Sequence, residues 1–84
     1  MKKDLIVKEM VIAALSLWEG GDDPETNLEY LKGQAETIAR FMQYRGWDIP
    51  SGGATSALLA AAKAISRGES SPAHVERAYQ TICG

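Results

Sequence analysis

His74 and Cys83 are the only histidine and the only cysteine in the sequence, and these residue types most often carry nucleophilic or metal chemistry. A nucleophilic thiol needs a base within hydrogen-bond reach. The two residues are separated by most of a short helix, too far for that pairing. His74 reads instead as a surface or partly buried side chain in the first turn of a helix. Metal sites need several His, Cys or carboxylate ligands at workable spacing, and the chain has no HxxxH and no CxxC. Glu19, Asp22, Asp23, Glu25 and Glu29 are rich in carboxylate, but they lack the alternating Asp-x-Asp-x-Asp-Gly order of a calcium loop, and Pro24 falls where that loop should run. Capping a helix is the simpler use for them. Ser51-Gly52-Gly53-Ala54-Thr55-Ser56 has the flavour of an anion-binding turn, yet it has no P-loop lysine and no preceding strand. No enzyme, cofactor or metal is expected.

What remains is the stretch Arg40-Phe41-Met42-Gln43-Tyr44-Arg45-Gly46-Trp47. Arg40, Tyr44 and Trp47 recur at helical spacing on a different face from Ile38 and Met42, with Arg45 beside them. Tyr, Trp and Arg dominate protein-binding hot spots. Arg40, Tyr44, Arg45 and Trp47 are therefore the candidate protein-binding residues. The competing view is that Trp47 plugs the end of the core and the arginines are solvated.

Helical elements must position these residues. A first helix is predicted from Asp4 to Glu19, with Gly20-Gly21 as its stop. Val7, Met10, Val11, Ala14 and Trp18 follow one helical stripe, and Ile6, Ala13 and Leu17 lie on another side. A helix apolar around most of its circumference is buried on more than one side. It is either wrapped by the other helices or placed at a subunit interface, with Ile6, Met10, Ala13 and Leu17 as candidate dimer contacts. A second helix opens at Asp22-Asp23-Pro24-Glu25, where Asp23 caps and Pro24 takes the first helical position. It closes at Arg45-Gly46, with Trp47 folding back after the glycine. Gly33 inside it marks a close approach of another backbone. Residues 48–53 form a loop around Ile49-Pro50. A third, alanine-rich helix runs from Ala54 to Arg67 and stops at Gly68. A fourth begins at Ser71-Pro72 and carries Val75, Ala78, Tyr79 and Ile82 on one face.

The fold class is all-α: a compact bundle of about four helices with short loops, in a single domain over residues 1–84. Apolar residues at 45% and charged residues at 24% suit a globular chain rather than a disordered one. A net charge of −2, with basic residues spread along the chain, makes nucleic acid an unlikely partner. The helix-turn-helix order is present, but the third helix offers only Lys63 and Arg67 as base-contacting side chains, both late in it. One cysteine excludes an internal disulfide and fits a reducing, cytoplasmic setting. Lys2-Lys3 before Leu5-Ile6-Val7 resembles the start of a signal peptide, but Asp4, Lys8 and Glu9 interrupt it. No run approaches the roughly 18 apolar residues of a membrane span.

The expected function is that of a small, non-enzymatic regulatory protein, an inhibitor or adaptor that occupies a surface of another protein. It is a candidate homodimer. Two alternatives are a nucleic-acid-associated transcriptional regulator, using Arg40, Arg45, Lys63 and Arg67, and an assembly subunit of a larger complex.

Overall fold

The computed structural model describes residues 3–16, 18, 22–47 and 53–83, which form four helices and no strand. These are α1 (Lys3–Leu15), α2 (Leu28–Tyr44), α3 (Gly53–Ser66) and α4 (Ser71–Cys83). Leu17, Glu19, Gly20-Gly21 and residues 48–52 lie outside the described residues, so the expected glycine stop and the Ser51-Gly52 start of the expected anion-binding turn are not placed.

Two helix boundaries differ from expectation. The first helix ends at Leu15 rather than Glu19. The Ser16 hydroxyl donates to the Ala13 carbonyl at 2.9 Å, and the Trp18 amide bonds the Leu15 carbonyl at 3.0 Å, which tightens the chain into a turn. The second helix starts at Leu28, one turn after Pro24. Asp23 does cap, since its Oδ1 accepts the Glu25 amide at 2.9 Å. However, the Asp23 carbonyl, which a helix would offer to the Asn27 amide, accepts the Thr26 hydroxyl and the Asn27 side-chain amide instead. Asn27 stands at φ −109°, ψ 17°, outside helical values. Side chains that satisfy the backbone locally compete with helix formation, and here they delay it by a turn.

The other ends follow their sequence signals. Gly46, at φ +73°, lets its amide bond the Gln43 carbonyl while the Trp47 amide reaches Met42 at 2.8 Å. Gly68, at φ +87°, does the same for Ile65, with the Glu69 amide on Ala64. Both are Schellman closures, which need the left-handed conformation glycine adopts freely.

Gly33 is different. It is exposed, and a Cβ built there would meet nothing within 4 Å, so no backbone approaches it. It spends helix propensity without a packing return. Gly33→Ala is therefore expected to stabilise the protein by about 0.5–1 kcal/mol, and Gly68→Ala to destabilise it by about 1 kcal/mol through backbone strain alone. Urea midpoints that moved in the same direction for both variants would contradict this account.

The α3 helix packs extensively on both α2 and α4, and α1 packs mainly on α4. Successive neighbours are thus α1, α4, α3 and α2, with the α1–α2 side more sparsely closed. The most deeply buried helix is α3, not α1. Alanine makes this possible: Ala54, Ala57, Ala61, Ala62 and Ala64 are buried and let neighbouring helices come close. Leu31, Ile38, Met42, Leu58 and Ile82 fill the centre with no more than 1% exposure. Two polar ties fix α1. The Tyr30 hydroxyl donates to the Ala14 carbonyl at 2.8 Å, satisfying an acceptor in the last turn of α1. Lys8 lies 3.3 Å from the Glu76 carboxylate and over the Tyr79 ring, and Tyr79 donates to the same carboxylate.

Candidate protein-binding surfaces

The end of α2 carries the four candidate binding residues, and the structure sorts them into two groups. Phe41 and Arg45 are one helical turn apart, so their side chains meet. The Arg45 guanidinium lies 5.7 Å from the Phe41 ring centre and 5.3 Å from the Trp47 ring, which the Schellman closure turns back toward it. Phe41 and Trp47 pack edge to face, with centroids 5.9 Å apart and planes at 66°. Trp47 is half-buried and rests on the core. Arg45 is exposed, so its charge faces water while its guanidinium lies within cation–π distance of both rings. Arg40 is not part of this stack: it pairs with the Glu36 carboxylate one turn earlier on α2. Tyr44 is 86% exposed, a large aromatic side chain presented almost entirely to solvent. Phe41 is not among the candidate binding residues that the sequence singles out. The i to i+4 spacing to Arg45 was the signal that joins it to the cluster.

The second candidate surface is the outer face of α1. Val7, Val11, Ala14, Leu15 and Trp18 are buried. Leu5, at 54% exposed, and Ile12, at 38%, point outward with Glu9 and Ser16 on the same line. Of the candidate dimer contacts, Ala13 is exposed, Ile6 and Met10 are half-buried with Met10 packed against the core, and Leu17 lies outside the described residues. The solvent-facing apolar pair is therefore Leu5 and Ile12, two helical turns apart and on one side.

A hollow of about 240 Å³ lies between the end of α1 and the start of α2, lined by Trp18, Asp22, Asn27 and Tyr30. The Trp18 indole N–H is buried and has no acceptor among the described residues.

A further groove, of about 330 Å³, runs between α3 and α4. Its floor is alanine, from Ala57, Ala61, Ala64 and Ala78, and Arg67, His74 and Arg77 stand around it. Glu69, in the α3–α4 turn, accepts a 2.9 Å hydrogen bond from Arg67 Nε and lies 3.0 Å from His74 Nε2. The Arg67 hydrogen bond holds the Glu69 carboxyl below its usual range against partial desolvation, and His74 adds to the lowering.

The basic residues of the nucleic-acid alternative are dispersed in role. Arg40 and Arg67 are each engaged by a carboxylate, and Arg45 covers aromatic rings. Among the described residues, no three His, Cys, Asp or Glu side chains are grouped to hold a metal ion, and no helix is long and apolar enough to cross a membrane. Compared with protein-family models, curated proteins and solved structures, the chain matches none of them.

Proposed function

We propose that this protein acts without catalysis, by occupying a surface of another protein as a stoichiometric inhibitor or adaptor in the cytoplasm. The observation that carries this reading is Tyr44, held out to solvent beside the Arg45, Phe41 and Trp47 cluster. An exposed Tyr next to a stacked Arg and Trp is the composition of a binding hot spot, and a rigid aromatic anchor loses little side-chain entropy on docking. Binding through α2 leaves the outer face of α1 for self-association, with Leu5, Ile12 and Ala13 meeting their equivalents in a second copy.

Affinity capture from a cell lysate tests the first part. The wild type is compared with the Tyr44→Ala/Arg45→Ala double variant, whose positions are exposed and whose fold should persist. A protein held by the wild type and at least about tenfold depleted on the variant, equivalent to roughly 1.4 kcal/mol, is the expected result. Identical captured sets would refute the α2 surface. Light scattering across concentrations tests the second part. The expected outcome is a dimer that becomes a folded monomer in Leu5→Glu/Ile12→Glu. A wild type that is monomeric throughout would remove the self-association.

A further inference from the structure

We propose that the groove between α3 and α4 receives an amphipathic helix of a partner protein that carries carboxylates beside large aliphatic side chains. This rests on the protein-binding reading above but places a second contact on a different pair of helices. Concave space is the first support. From Ser56 to Arg67 the groove follows three turns of α3, about 16 Å, which is the reach of a short helix. Its alanine floor has no side chains that could close over it, so about 330 Å³ stays open for knobs such as Leu or Ile.

Charge selects the occupant. Residues 1–52 contain six basic and nine acidic residues, whereas residues 53–84 contain three basic and two acidic. Two of those three bases, Arg67 and Arg77, line the groove, and the third, Lys63, is exposed one turn before Arg67 on α3. Glu69 shows what this rim holds, because Arg67 and His74 already fix its carboxylate. No acidic side chain lines the groove itself, and Arg77 has no ion-pair partner among the described residues. A carboxylate on the incoming helix would meet Arg77 directly and compete with Glu69 for Arg67. A nucleic-acid backbone would use the cations but gain nothing from the apolar floor.

The test is selection of a displayed random library of peptides about four helical turns long on the full chain. The selected peptides are then titrated against Ala60→Phe, Arg77→Glu and Glu69→Gln. Ala60 and Arg77 are exposed groove residues, so both variants should fold, and urea unfolding checks it. Expected are peptides with Asp or Glu among aliphatics at three- and four-residue steps. Ala60→Phe and Arg77→Glu should each weaken them about tenfold or more, and Glu69→Gln should tighten them by removing the internal competitor. If Ala60→Phe fails to fold, the Arg77→Glu and Glu69→Gln pair decides. Neutral or basic consensus peptides, binding indifferent to these variants, or no enriched peptide would overturn the proposal. Peptides lost only on Tyr44→Ala/Arg45→Ala would also overturn it while leaving the α2 surface standing. An oligonucleotide shift abolished by Arg77→Glu, without peptide binding, would give the groove to nucleic acid and refute it.

Discussion

Leu58→Ala is expected to lower the unfolding free energy by about 3 kcal/mol, a large share of what a domain this small possesses. Leu58 is 0% exposed in α3, the helix that packs on both α2 and α4. Removing its three outer carbons loses roughly 0.8 kcal/mol for each, and the remaining cost is the cavity left behind. How much of that cavity survives depends on whether neighbours can move in. Here they cannot do so easily, because Ala54, Ala57, Ala61 and Ala62 on the same helix have no rotatable side chain. The melting temperature should fall by roughly 12–24 °C. Leu58→Met keeps the volume and should cost less than about 1.5 kcal/mol. Urea denaturation followed by helical circular dichroism measures both. A midpoint for Leu58→Ala as close to wild type as that of Leu58→Met would show that the α3 core is looser than its burial implies.

The same residues explain why most of the fold was legible in the sequence. Gly46, Gly68 and Ser71-Pro72 are punctuation whose physics is local, so the closing ends of α2 and α3 and the start of α4 fall where expected. The start of α2 was misplaced because Asp23 and Pro24 are also local signals, and Thr26 and Asn27 outweigh them with their own hydrogen bonds. Which helix is the most buried is hidden for another reason. Bulky apolar residues all round α1 leave it either wrapped by the other helices or at a subunit interface, yet α3, with smaller side chains, is the most buried of the four. Burial was decided by how close a neighbour can come, not by hydrophobicity alone. The same holds for the sites. The α2 cluster was legible from its residue types, but which member is exposed was not. The α3–α4 groove arises only when Arg67, in the turn after α3, and Arg77, on α4, are brought together over alanine.

Trp47→Ala is the second change with a large expected effect, because Trp47 joins the core to the proposed binding cluster. A fully buried Trp truncated to Ala costs about 3–5 kcal/mol. Trp47 is half-buried, packed on the core and in edge contact with Phe41, so about 2 kcal/mol is expected, with a melting temperature roughly 8–16 °C lower. Arg45→Ala should lose less than about 1 kcal/mol, since its cation–π contacts are made at an exposed position. The two variants therefore separate support from contact. Trp47 packs on the core, while Tyr44 and Arg45 are the exposed members of the proposed binding surface. Trp47→Phe should restore most of the stability by refilling the space against Phe41. If Trp47→Ala melts like the wild type while its capture of a partner collapses, Trp47 itself is the anchor and its packing on the core is incidental. If stability and capture both return in Trp47→Phe, the indole is a prop, and the surface belongs to Tyr44 and Arg45.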